Sequence, residues 1–277
     1  MEGAEGEVDA MSEDRGTAPA ATSAGIETAL AEPIGDGPMA ATAVGLTKVY
    51  GSGDTRVVAL DHVEVGFEAQ RLTAIMGPSG SGKSTLLHCM AGLDSVTDGD
   101  VRIGDTRISD LSDKQLTLLR RQRLGFIFQA FNLVPTLTAE ENILLPLHLG
   151  GREPDADWEQ RVVHSLQLGD RLRHRPSELS GGQQQRVAVA RALVTRPDII
   201  FADEPTGNLD SKAGNEVLGF LRRAVDDWQQ TVVMVTHDPG AASYADVVIF
   251  LRDGKLVGRL EDPTPRHVYD LIREFEE

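Results

Sequence analysis

Positions 77 to 85 read Gly77-Pro78-Ser79-Gly80-Ser81-Gly82-Lys83-Ser84-Thr85, the G-x-x-x-x-G-K-[ST] spacing of a phosphate-binding loop. Glycines let successive backbone N–H groups turn inward onto phosphate oxygens, and a helix opening at the end of the loop adds the partial positive charge of its N-terminus. In that frame Lys83 reaches the β- and γ-phosphates of a nucleotide and the Ser84 hydroxyl ligates Mg²⁺. The flanks agree. Leu72 to Met76 reads as a buried strand entering the loop, and Thr85 to Ala91 as an apolar helix that Gly92 can end at a left-handed cap. A Gly/Ser turn with a chance lysine would need neither flank, so the expected ligand is a nucleoside triphosphate.

Four other places carry polar residues at the ends of apolar runs. Gly125-Phe126-Ile127-Phe128 reads as a buried strand delivering Gln129, and Ile199 to Ala202 as another ending in the adjacent carboxylates Asp203 and Glu204. Thr231 to Thr236 is a third, with His237 at its end beside Asp238-Pro239, a helix cap followed by proline at the first helical position. The carboxyl ends of parallel strands are where open α/β sheets bind ligands. Gln129 is thus placed to touch a metal or an attacking water. Successive strand residues face opposite ways, so Asp203 suits Mg²⁺ and Glu204 suits polarising a water against the γ-phosphate. The fourth place is Leu179-Ser180-Gly181-Gly182-Gln183, ahead of a helix expected over Val187 to Val194. Two glycines before a helix leave N–H groups aimed outward, a ready anion site.

The elements that must position these groups fit one α/β chain of 277 residues. Half of its net charge of −16 lies in residues 1 to 40, where nine acidic residues face Arg15 alone. That segment has no aromatic residue and no sustained period, and it is expected to be a disordered acidic tail. So acidic a protein is a poor partner for nucleic acid, which needs clustered Lys and Arg. Cys89 is the only cysteine, which excludes an intrachain disulfide and suits a reducing compartment. With no membrane-spanning run and no signal-peptide pattern, the expectation is a cytoplasmic protein that meets a membrane only through a partner.

Order is expected from Ala43, as a strand to Tyr50, a turn at Gly51 to Asp54, and a second strand region over Val57 to Phe67. Tyr50 is open to two readings, packing at a strand end or a face for adenine. Asp100 to Ile108 reads as a strand, followed by a helix from Ser112 with Gln115 completing a capping box. Residues 136 to 178 read as mainly helical, opening on a second capping box at Thr138 and Glu141 and broken by a polar loop near 150 to 157. Asp253-Gly254 marks a hairpin, and Thr264-Pro265 opens a last helix.

The order of Gly77 to Thr85, Gln129, Leu179 to Gln183, Asp203-Glu204, Asn208-Leu209-Asp210 and His237 resembles an ATP-binding cassette (ABC) ATPase over about residues 43 to 260. The resemblance implies an α/β fold of the P-loop NTPase type, with a mixed core sheet, an antiparallel β subdomain and a helical subdomain over about 130–180, all within 41–277. It implies that Tyr50 stacks on adenine, that Gln129 links the metal held by Ser84 and Asp203 to a membrane partner, that His237 holds the γ-phosphate and that Asp210 makes a contact across a dimer. It further implies that Ser180, Gly181, Gly182 and Gln183 of one chain cover the ATP held by a second, in a homodimer or a pair with a similar ATPase. Such a pair would lie on the inner face of the plasma membrane, driving an integral membrane permease.

Three stretches are similar to the lipoprotein-release and macrolide-export subgroup: Tyr50 to Leu60, Gly125 to Pro135 with Leu137-Thr138-Ala139, and Ala202 to Asp210. That subgroup exports or transmits force. A solute-importer ATPase and a regulator of a cell-wall hydrolase are the alternatives. Gln70-Arg71 and Asp98-Gly99-Asp100 depart from the usual pattern without touching the site.

Overall fold

The computed structural model describes residues 37–276. The acidic segment expected to be a disordered tail therefore lies outside the described residues as far as Asp36. Its end is ordered, because the first strand, β1, runs Met39–Tyr50, starting ahead of the expected boundary at residue 41. Met39 is in register with Glu68, and the Ala40 carbonyl accepts the Gly104 N–H at 2.8 Å. Neighbouring strands capture these residues, which local composition could not reveal.

Two sheets follow. β2 (Val57–Glu68), β1, β4 (Asp98–Ile103) and β5 (Thr106–Arg107) pair in that order as an antiparallel sheet. The stretch expected as one strand over Asp100 to Ile108 is instead a hairpin, turning at Gly104 with φ 52°. Gly104-Asp105 is a turn dipeptide, and β5 beyond it pairs back on β4.

The second sheet has six strands in the order β10 (Lys255–Glu261), β9 (Val247–Arg252), β3 (Leu72–Met76), β8 (Val232–Val235), β7 (Ile199–Asp203) and β6 (Leu124–Phe128). All pairs are parallel except β9 with β10, whose hairpin turns at Asp253 and Gly254, both in the left-handed region as expected.

Alternation along the buried strands builds two cores. In β8, Val232 and Met234 face one core, which includes Val189 and Ala190 of α5 (Gly181–Leu193) and Leu218 and Leu221 of α6 (Ser211–Trp228). Val233 and Val235 face the other, between the two sheets, with Leu86, Leu87 and Met90 of α1 (Lys83–Met90). α1 is held between the sheets, so the loop that precedes it cannot drift.

α2 (Asp113–Arg123) leads into β6, and α3 (Ala139–Leu149) and α4 (Ala156–Ser165) follow it. Ser112 and Thr138 open α2 and α3 with the capping boxes expected of them. Ile143, Leu147, Trp158 and Val162 pack the first core beside α5, so the helices of this region rest on the sheet through α5. A short α7 (Pro239–Ala242) and a final α8 (Pro265–Glu276) complete the fold, and Thr264 caps α8 through the His267 N–H at 3.2 Å.

Candidate functional site

β3, β8, β7 and β6 point their carboxyl ends the same way, and the chemistry-bearing residues gather there. The loop from Gly77 to Gly82 turns on backbone angles that only glycine tolerates. Gly77 has φ 148°, and a Cβ there would lie 1.9 Å from the Leu251 carbonyl oxygen. Gly82, at φ 101°, would put a Cβ 2.4 Å from the Ala59 carbonyl oxygen. The loop is thus wedged between β9 and β2. The helix after it begins at Lys83, earlier than the expected Thr85, so Ser84 stands in its first turn.

Lys83 is buried, and its Nζ donates to the carbonyls of Gly77 at 2.9 Å and Pro78 at 2.7 Å. Burial pulls its pKa down, against which Glu204 and Asp203 pull it up. The net shift is downward, with Glu204 and Asp203 the two carboxylates that counter it. Ser84 Oγ donates to Asp203 Oδ1 at 3.0 Å, and His88 Nε2 lies 3.6 Å from the other Asp203 oxygen. Residues far apart in sequence thus bring together a hydroxyl and a carboxylate, hard oxygen donors of the kind Mg²⁺ prefers. Glu204 stands just beyond β7 and His237 just beyond β8, with His237 Nδ1 3.2 Å from Glu204 Oε1.

A cavity of about 440 Å³ lies against these groups, lined by Ser79, Gly80, Lys83, Ser84, Glu204 and His237 among others. Thr85 and Gly82 also line it. Its remaining wall is Val57, Val58 and Ala59 of β2. These were legible only as strand residues, although the outward placement of Val57 and Val58, 59% and 43% exposed, is unusual for valine in a strand. Tyr50 is not part of the lining. Its hydroxyl donates to Asp94 Oδ2 at 2.6 Å and Lys48 Nζ lies 4.8 Å from its ring centre, while 42% of the residue stays exposed beside Thr85.

Gln129, Asp210 and the segment Ser180 to Gln183 stand apart from the cavity. Gln129 turns its amide toward Asn208, Nε2 to Oδ1 at 3.3 Å, and its carbonyl accepts the Asn208 side chain at 3.0 Å. It does not join Ser84 and Asp203. Asp210 caps α6, accepting the Ala213 N–H at 2.9 Å. The Ser180 to Gln183 segment is already helical from Gly181, earlier than the expected Val187, because Ser180 and Gln183 form a capping box that the paired glycines disguise. The N–H groups of the two glycines lie in the open first turn. None of these four residues lines the cavity around Lys83.

Two residues outside the sequence reading tie these parts together. Gln185, fully buried in α5, donates to the carbonyls of Pro205 and Phe128. Arg191 donates to the carbonyls of Phe131 and Asn132, whose backbones both lie in the left-handed region. A polar residue spaced into the apolar face of a helix is the only signal the sequence carries for either.

Residues 60–207 match the family model described as ABC transporter. The chain is 47% identical over 212 residues to the ABC transporter ATP-binding protein MJ1508 of Methanocaldococcus jannaschii, covering 76% of this chain and 94% of that protein. It is 44% identical over 210 residues to the macrolide export ATP-binding/permease protein MacB of Bdellovibrio bacteriovorus, of which it covers 32%. Among solved structures, the dimeric ATP-binding cassette MJ0796 in a post-hydrolysis state bound to ADP and Pi is similar at a TM-score of 0.73 and 40% identity, over 81% of this chain and 99% of that one.

Proposed function

The chain belongs to the ABC transporter family as an ATP-binding cassette that hydrolyses ATP, and from that premise we propose that two copies close head to tail on ATP and drive a membrane partner in export or force transmission. The observation that carries this reading is the one-sided cavity. Lys83, Ser84, Glu204 and His237 converge on it, while the open helix turn at Gly181 and Gly182 of the same chain does not reach it. A second chain, placed so that its Ser180 to Gln183 segment covers the phosphates, would complete the site. The dimeric state of the similar cassette supports the pairing of two copies.

Within that arrangement Lys83 and the loop N–H groups bind the β- and γ-phosphates, with the adenine against Tyr50, Val57 and Val58. Glu204 orients a water and accepts its proton as the water oxygen bonds to the γ-phosphorus and the bond to the ADP oxygen breaks. His237 holds the γ-phosphate and, at 3.2 Å from Glu204, keeps the base aligned. Ser84 and Asp203 fit a Mg²⁺ ion, which when bound would neutralise phosphate charge. Gln129 would report the state of the site outward through Asn208.

The membrane partner has a candidate seat. A second cavity of about 400 Å³ lies between α2, β6 and α3, with Leu93, Phe126, Phe128, Leu145 and Leu149 on its walls. Leu149 is 62% exposed and Leu93 44%, which suits a short apolar segment of a permease. The identity to MacB supports export as the direction. Among the described residues no helix is long and apolar enough to cross a membrane, which is consistent with attachment through such a partner.

The test is purification of the tagged chain from detergent-solubilised membranes with ATP. A co-purifying subunit of about four spans with a large outer domain supports export or force transmission. A many-span permease would support import, and the absence of any membrane protein would overturn the proposal.

A further inference from the structure

We propose that Gln185 is a positioning residue for Glu204, bracing from the Ser180–Gln183 helix the backbone that carries the catalytic carboxylate. Glu204 has φ 45°, a left-handed conformation rare for a residue with a side chain, and it precedes a proline, which restricts it further. Such a backbone persists only where its surroundings hold it. The Glu204 N–H donates to Val235 at 3.0 Å and its carbonyl accepts from Gly207 at 3.0 Å. Pro205 has no N–H to offer. Its carbonyl is held from outside the loop, by Gln185 Nε2 at 2.5 Å.

The same nitrogen lies 3.4 Å from the carbonyl of Phe128, the residue before Gln129. One fully buried amide thus joins α5 to the peptides beside Glu204 and Gln129. Its direction is dictated, because reversing the amide would set its oxygen against two carbonyl oxygens. The price is visible: Gln185 Oε1 is buried without a hydrogen-bond partner. A helix interior that needed only packing would be better served by leucine. What the amide adds is a fixed distance between the turn that meets the partner's nucleotide and the base serving the chain's own.

The inference rests on the reading of Glu204 as the base, and the experiment separates the two. Full-length Gln185→Leu and Gln185→Met, which keep the volume and remove the donor, are compared with Glu204→Gln and with each double variant by single-turnover ATP hydrolysis and by affinity for a fluorescent ATP analogue. The expected result is a loss of about 10–100-fold in the hydrolysis rate, nucleotide affinity within about twofold, and double variants no slower than Glu204→Gln alone. Turnover retained by Glu204→Gln alone would remove the underlying reading. A normal rate in the Gln185 variants beside an inactive Glu204→Gln would overturn only the role of Gln185. Additive losses in the double variants, a parallel loss of affinity, or failure of both Gln185 variants to fold would assign the residue to general structure and overturn it as well.

Discussion

His237 Nδ1 lies 3.2 Å from Glu204 Oε1 although the two residues follow different strands, β8 and β7, which are neighbours in the sheet. Both side chains line the same cavity as Lys83 and Ser84. Removing the carboxylate while keeping its shape isolates its part. Glu204→Gln should bind ATP, accumulate as a closed dimer and hydrolyse about 10²–10⁴-fold more slowly. Phosphate release and size-exclusion chromatography with ATP check this together, and rapid turnover would take the role of base from Glu204.

Lys83 is expected to act on binding first. Its amine is buried in the loop and donates to the carbonyls of Gly77 and Pro78. Lys83→Ala removes a charge-assisted contact of about 1.5–3 kcal/mol and should weaken ATP affinity about 10- to 100-fold, read by titration calorimetry. Hydrolysis at saturating ATP falls as well, because the γ-phosphate loses its counter-charge.

Gly82→Ala should fail for a different reason. The residue has φ 101°, and the added Cβ would lie 2.4 Å from the Ala59 backbone oxygen. Strain of this kind costs about 1–3 kcal/mol, and the loop must shift to relieve part of it. Thermal melting should show the destabilisation and calorimetry the loss of nucleotide binding, whereas Gly169→Ala, in open space, should change neither.

Glu68 joins the two sheets through Arg71 at 3.0 Å and Arg259 at 2.7 Å. Burial pushes its carboxyl up, but the two guanidinium groups pull it further down, so its folded pKa lies below the ordinary carboxylate range. A depressed pKa means stability that is present above the unfolded value and lost as pH falls through the folded one. Glu68→Gln should therefore lower stability by about 1.5–3 kcal/mol at neutral pH. The gap to the parent should close in acid below about pH 4. Denaturation in urea at a series of pH values measures both, and a gap independent of pH would dismiss the ion pair as its source.

Tyr50 separates ring from hydroxyl. Tyr50→Phe loses the bond to Asp94 but keeps the face, and should bind ATP nearly as the parent does. Tyr50→Ala should weaken binding about 10-fold, since stacking on an aromatic face is worth about 1–3 kcal/mol. Equal losses in both variants would make the hydroxyl, and with it packing against Asp94, the important part.

Much of the local structure could be read from spacing, since it depends on groups a few residues apart. The capping boxes at Ser112 and Thr138, the Asp253-Gly254 hairpin and the Thr264-Pro265 helix start are all present. Spacing misleads where local signals conflict. Gly181 and Gly182 look like a connector, yet the Ser180–Gln183 box starts the helix there. Gly104-Asp105 is a turn signal inside the stretch from Asp100 to Ile108, and there β5 folds back on β4 as a hairpin.

By itself the sequence determined the phosphate loop, the strand ends carrying Gln129, Asp203, Glu204 and His237, and the family these motifs imply, because each motif is a short-range arrangement of backbone and side-chain donors. The tertiary structure alone decided which of them meet. The order β3-β8-β7-β6 sets Lys83 and Ser84 beside Asp203 and Glu204, and Glu204 beside His237. The same packing turns the Gln129 amide to Asn208, brings Val57 and Val58 to the cavity wall and keeps Ser180 to Gln183 away from it. Strand order is chosen by burying both faces of the whole sheet at once, a sum over many distant residues that no single spacing records.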